Sequence, residues 1–127
     1  MPFSFDPGQA LIIVRAEVVG PAASAVLRLA LDTGATWTLI NTAILVSIGY
    51  DPALMPERLQ VTTGSGIEFV PRLNLSKISA LGQHRADFPV LSHTLPPTAA
   101  VDGLLGLDFL RGQIVTIDFQ KGSITLA

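Results

Sequence analysis

Glycine and proline, 11 and 9 of them in 127 residues, cut the aliphatic sequence into short pieces, and this punctuation limits the chain to short elements joined by turns. Ala10 to Val19 and Ala25 to Leu31 are aliphatic and β-branched runs separated by Gly20-Pro21-Ala22-Ala23-Ser24, which reads as a hairpin with a loose turn. Arg58 to Thr63 and Ile67 to Ser79, on either side of Gly64-Ser65-Gly66, read as a second and longer hairpin with a mobile, glycine-flanked tip. Between them, Trp37 to Ile40 is a short strand, and Asn41 can cap a helix through about Ile48, stopped by Gly49 and Asp51-Pro52. Ala86 to Ser92 is a further strand. Leu95-Pro96-Pro97-Thr98 is a loop, because proline has no amide hydrogen to give a ladder. Leu107 to Leu110 suits a short helix stopped by Gly112, and Gln113 to Phe119 with Ser123 to Leu126 makes a closing hairpin around Gln120-Lys121-Gly122. The expected fold is all-β and mostly antiparallel, with one or two short helices. Residues 1–127 are expected to form a single domain, since the sequence shows no internal repeat or linker.

Hydrophobic residues make up 49% of the chain against 14% charged, with a mean hydropathy of +0.52, more apolar than a solvated monomer of this size needs. The excess is expected to cover a subunit interface. Charges, Gly and Pro interrupt every apolar stretch before the roughly 18 residues that a membrane helix takes, so no membrane partner is expected. Met1-Pro2-Phe3-Ser4-Phe5-Asp6 lacks the basic and apolar regions of a secretory signal, which favours a cytoplasmic location. The absence of cysteine excludes a disulfide framework, a thiol nucleophile and a zinc-thiolate site. A net charge of −2 carries no basic excess and argues against nucleic acid as a partner.

The segment Leu29-Ala30-Leu31-Asp32-Thr33-Gly34-Ala35-Thr36 places a carboxylate at the end of an apolar strand, followed by a hydroxyl and a residue that permits close backbone approach. An ionisable group at the lip of a buried strand costs free energy unless it is hydrogen-bonded or used. This segment resembles the active-site signature of the retropepsin-like aspartic peptidases: hydrophobic residues leading into Asp-Thr-Gly-Ala. Gly103-Leu104-Leu105-Gly106-Leu107-Asp108-Phe109-Leu110 resembles that family's downstream element, two hydrophobic residues and a glycine before a short helix. The likeness runs from about Ile12 to Leu126. It implies the acid-protease fold, a single-domain closed β-barrel with a flap hairpin.

Hydrolysis of a peptide bond without a metal or a nucleophilic side chain needs one carboxylate to take a proton from water and a second acid to protonate the carbonyl oxygen. Two carboxylates about 3 Å apart cannot both ionise, so such a pair shares a proton. The chain carries a single Asp-Thr-Gly motif, and the resemblance therefore implies a homodimer in which Asp32 meets its copy, acting as an endopeptidase on a peptide or protein with no cofactor and no metal. It also implies that Thr33 hydrogen-bonds across the dimer, that Gly34 and Ala35 support the loop, and that Leu104, Leu105 and Gly106 brace it from beneath. Thr63, Gly64, Ser65, Gly66 and Ile67 would form a flap closing over an extended peptide held by backbone hydrogen bonds.

Two positions depart from the viral pattern. Thr36 stands where retroviral enzymes carry an acidic residue and Leu107 where they carry an arginine, so both partners of an intersubunit ion network are missing together. In this the chain resembles bacterial and other non-viral members. Trp37 can line a substrate subsite or pack in the core or interface. His84 and His93 lack the close spacing and acidic neighbours of metal ligands, and neither has a Gly-x-Ser-x-Gly nucleophile to serve. Asp102 suits a turn, Asp108 the short helix or a supporting position behind the active-site loop, and Asp118 the solvent face or the closing turn. The rival readings are a dimeric peptide-binding or assembly domain of the same fold without turnover, and a monomeric β-barrel in which Asp32 caps a turn.

Overall fold

A computed structural model of the chain describes residues 2–64 and 66–127. Its elements in order are β1 (Phe3–Ser4), β2 (Ile13–Val19), β3 (Ser24–Leu31), β4 (Leu39–Asn41), α1 (Thr42–Ser47), a 3₁₀ turn (Pro52–Leu54), β5 (Arg58–Thr63), β6 (Gly66–Ala80), β7 (Gln83–His93), β8 (Gly103–Leu105), α2 (Leu107–Leu110), β9 (Val115–Asp118) and β10 (Ser123–Leu126).

The first hairpin pairs β2 with β3 from Val19 opposite Ser24 to Ile13 opposite Ala30. Along β2 the side chains alternate strictly: Val14, Ala16 and Val18 are buried, Arg15 and Glu17 exposed, as one face on a core and one on solvent require. Six strands close a barrel in the order β2-β3-β8-β4-β7-β6, and pairing of β6 back onto β2 through Ala80 opposite Ala16 completes the ring. A closed ring leaves no edge within the barrel. Leu27, Leu29, Ile40, Leu75, Ile78, Val90, Leu105 and Phe109 fill it, all essentially without exposure.

At 15 residues β6 is too long for the barrel alone. Its second half pairs with β7 and β2, while Gly66 to Pro71 pairs only with β5, so the β5–β6 hairpin projects from the barrel as an arm. The turn from β6 into β7 is Leu81-Gly82, both at positive φ (51° and 74°), the two-residue geometry whose twist matches a hairpin. A leucine is disfavoured there. Leu81 is nevertheless buried against the core, which offsets the backbone cost. This turn also carries β7 back to Gln83, earlier than the Ala86 start expected from the sequence.

The chain ends are tied together. β1 pairs with β10 and β10 with β9 in a separate three-stranded sheet, an arrangement whose first strand is too short to leave a pattern in the sequence. Asn41 caps α1 by accepting the Ala43 amide at 3.4 Å. Among the described residues no helix is long and apolar enough to cross a membrane.

Candidate active site

Strand β3 delivers Asp32 to the end of the barrel because it runs parallel to β8. Leu31 lies opposite Leu105, and the Asp32 amide donates to the Leu105 carbonyl at 3.0 Å. The chain then turns on itself: Gly34 N–H donates to Asp32 Oδ1 at 2.8 Å and Ala35 N–H to the Asp32 carbonyl at 3.2 Å. This turn holds the carboxylate in one orientation. Asp32 Oδ2 accepts no hydrogen bond among the described residues, and the side chain is half-buried.

The loop is held from behind by a buried polar network. Leu107 N–H donates to the Ala35 carbonyl at 2.8 Å. Thr38, fully buried, donates its amide to both Asp108 carboxylate oxygens at 3.0 Å and its hydroxyl to Asp108 Oδ1 at 2.7 Å. The same hydroxyl accepts the Gly106 amide at 3.1 Å, so it is engaged as donor and acceptor at once. Asp108 is thus the supporting residue behind the loop. Gly106 admits no side chain: a Cβ there would stand 2.8 Å from the Trp37 carbonyl carbon and oxygen and 2.9 Å from the Ala35 oxygen. Asp102 stitches β3 to β4, its carboxylate accepting Arg28 N–H at 2.8 Å and its carbonyl accepting Asn41 N–H at 2.9 Å.

In front of Asp32 lies a cavity of about 360 Å³ lined by Asp32, Gly34, Ala35, Thr36, Trp37, Leu39, Leu91 and Leu104, with Gln60, Val61 and Thr62 across from them. Three consecutive residues of β5 take part, so the arm crosses the cavity mouth edge-on. Behind the Trp37 wall, the Arg72 guanidinium sits 5.1 Å from the ring centroid and Arg72 Nη1 meets Glu57 Oε1 at 2.7 Å. Glu57 precedes β5 and Arg72 follows the β5-paired part of β6, so this contact links the root of the arm to the cavity wall. Arg72 Nε is buried and has no hydrogen-bond partner among the described residues.

Asp32, Gly34, Ala35 and Leu104 therefore share the cavity, with Leu105 and Gly106 buried beneath it. Thr33 is exposed and lies elsewhere, in a groove with Leu107, Leu110, Arg111, Gln113, Val115 and Ile117. At the end of the arm, Gly64, Gly66 and Ile67 are exposed and outside the cavity lining, the Thr63 backbone pairs with Gly66, and Ser65 lies outside the described residues. The residues of the arm that reach the cavity, Gln60, Val61 and Thr62, carry no motif, and neither does Thr38. Their only sequence signal is a position one strand-length from a glycine-rich tip or from Asp-Thr-Gly. His84 Nδ1 bonds Ser79 Oγ at 2.7 Å and His93 Nδ1 stands 3.7 Å from Glu68. Among the described residues no His, Asp and Glu side chains group as a metal site. Asp118 closes the last turn, accepting the Gln120 and Lys121 amides at 2.9 Å.

Comparison with known proteins bears on this geometry. Residues 23–112 match the family model described as "gag-polyprotein putative aspartyl protease". No curated protein matches the chain. Among solved structures, the chain is similar to a retropepsin-like aspartic protease from Rickettsia conorii, with TM-score 0.72, 16% identity, and coverage of 100% of this chain and 97% of that one. It is also similar to EIAV protease in an inhibitor complex, with TM-score 0.59, 19% identity, and coverage of 82% and 88%. An apolar strand ending on Asp-Thr-Gly, a glycine brace behind it, a hairpin arm across the cavity and a family match over most of the chain converge: the chain belongs to the retropepsin-like, gag-polyprotein type of aspartyl protease.

Proposed function

We propose that this protein is a homodimeric aspartic endopeptidase in which Asp32 from each of two copies forms a single catalytic pair. The observation that carries the reading is the placement of Asp32: one oxygen fixed by Gly34 N–H, the other without a hydrogen bond among the described residues, at the floor of a cavity crossed by the β5–β6 arm. One ionised carboxylate takes a proton from water as the water oxygen bonds to the scissile carbonyl carbon, while the protonated partner gives its proton to the carbonyl oxygen. In the second step the C–N bond breaks as the carboxyl that took the water's proton gives it to the amine nitrogen, and a hydroxyl proton of the tetrahedral intermediate returns to the other carboxylate as the carbonyl re-forms, which restores the pair. Neither carboxylate makes a covalent bond to substrate. The substrate is an extended peptide lying between the active-site loop and the arm, its apolar side chains against Trp37, Leu39, Val61, Leu91 and Leu104.

Cleavage of a diverse peptide library between about pH 3 and pH 8 tests this. The expected profile is bell-shaped with its maximum on the acid side, because the pair works only while it shares one proton. A rate unchanged from acid to alkaline conditions contradicts it. A stable dimer that binds peptides and never cleaves them points instead to a binding domain of the same fold.

Arg72 yields a second expectation. Replacing it with methionine removes the guanidinium over Trp37 and the ion pair at the root of the arm, so the arm and the cavity wall lose their common anchor. KM is expected to rise about 3- to 30-fold, the range of a partly desolvated cation–π contact, with a smaller change in kcat. Equal kinetic constants for Arg72→Met and the native chain would show that the arm is positioned without this contact.

A further inference from the structure

Closing the barrel leaves few free strand edges. Among the described residues β1, β5 and β9 are the strands with a single partner strand, so each has one whole edge unpaired. β1 is two residues long, and β5 crosses the cavity mouth. β9 borders the groove that contains Thr33, directly beside the Asp32 loop. An open edge of this kind is a template for pairing with another chain.

The hydrogen bonds of β9 identify which of its groups face outward. Ile114 and Ala127 exchange both backbone bonds, each at 2.9 Å, and the Asp118 carbonyl accepts Gly122 N–H at 2.9 Å. Ladder bonds alternate along an antiparallel strand, so Ile114, Thr116 and Asp118 turn their backbone groups to β10. Val115 and Ile117 turn theirs to the open edge. The strand is thus equipped to receive an antiparallel partner, and the aspartate pair requires a second copy of this chain.

We propose that two copies join by antiparallel pairing of their β9 strands about a twofold axis through Ile117, an interface that rests on the two-carboxylate reading above. A twofold axis normal to the sheet keeps each face on its own side, so facing residues must differ by an even number. Centring on Thr116 would set Ile114 against the charged Asp118 of the second copy, and centring on Val115 would set Thr116 against Ile114. Centring on Ile117 places Val115 opposite Phe119 and Ile117 opposite itself on one face, and the Thr116 hydroxyl opposite the Asp118 carboxylate on the other. Apolar pairs and donor–acceptor pairs then segregate by face, which favours this register. It also covers Phe119, which is 66% exposed in the single chain. The product is one six-stranded sheet, β1-β10-β9 continued by its copy, next to the two Thr33 loops.

The chain has no cysteine, so a single introduced one reports proximity cleanly. In this register the two Ile117 Cα atoms stand about 5.5 Å apart, within disulfide reach. The two Thr116 Cα atoms are offset by two residues to about 8 Å, beyond disulfide reach. At a concentration where the native chain sediments as a dimer, Ile117→Cys is expected to oxidise to a covalent dimer at least about tenfold faster than Thr116→Cys. Phe119→Lys, at an exposed position, is expected to raise the dimer Kd at least about tenfold. Faster cross-linking of Thr116→Cys overturns the register. A native dimer in which neither variant cross-links, and Phe119→Lys has no effect, overturns the surface while leaving the two-carboxylate reading intact. A native chain that stays monomeric at high micromolar concentration overturns both.

Discussion

Asp32→Asn is expected to abolish peptide cleavage, with a loss of at least about 10²- to 10⁴-fold, the usual contribution of a positioned acid–base group. The asparagine amide keeps the size of the carboxylate and its acceptor oxygen, so the Gly34 N–H bond at 2.8 Å and the turn it closes can survive. What disappears is the ability to accept a proton from water and to donate one to the carbonyl oxygen. In the proposed dimer the substitution acts twice, since both members of the pair change together. Cleavage rates and thermal unfolding of the two proteins, measured side by side, separate chemistry from folding: activity should vanish while Tm changes little. Equal cleavage by both would remove Asp32 from the mechanism.

Gly106→Ala is expected to have the largest effect on stability among single substitutions near the site. The added methyl group would meet the Trp37 and Ala35 backbones at 2.8–2.9 Å, and backbone cannot step aside as a side-chain end can. Overpacking of this kind costs about 1–3 kcal/mol, which for a domain of this size corresponds to a fall in Tm of about 4–12 °C. The same strain bears on the Gly106 N–H bond to Thr38 and on the Leu107 N–H bond to Ala35, two of the links that hold the Asp32 loop from behind. Activity should therefore fall further than the lost stability explains. Thermal unfolding together with kcat/KM measured well below Tm checks this, and an unchanged Tm would mean that the loop and α2 can separate at no cost.

The elements most legible in the sequence were those that local chemistry decides. The β2–β3 hairpin follows from two aliphatic runs around Gly20-Pro21, α1 from Asn41 and the stop at Gly49, and the end of β3 from the sudden arrival of Asp32. Less legible was whatever depends on distant partners. The parallel pairing of β3 with β8 joins Leu31 to Leu105, and no local pattern reports it. The β1 strand exists only because Phe3 finds Ile124. Leu81 occupies a turn position that a leucine avoids, and is held there by burial rather than by turn preference. At the site, the Asp-Thr-Gly motif and the glycine brace stood out as a pattern. Thr38 looked like any strand threonine, since its value lies in two bonds to groups 68 and 70 residues away. The arm was legible as a hairpin, but its cavity-lining stretch sits inboard of the glycine-rich tip, because the arm crosses the mouth edge-on.

The proposal that one site needs two copies of Asp32 is tested most directly by subunit mixing. Native chain and Asp32→Asn chain are combined in varying ratio at constant total concentration, allowed to exchange, and assayed for peptide cleavage. If each site draws one aspartate from each chain, activity falls as the square of the native fraction, reaching about a quarter at equal mixing. A linear fall, with half the activity at equal mixing, would place a complete catalytic site within one chain and contradict the shared pair.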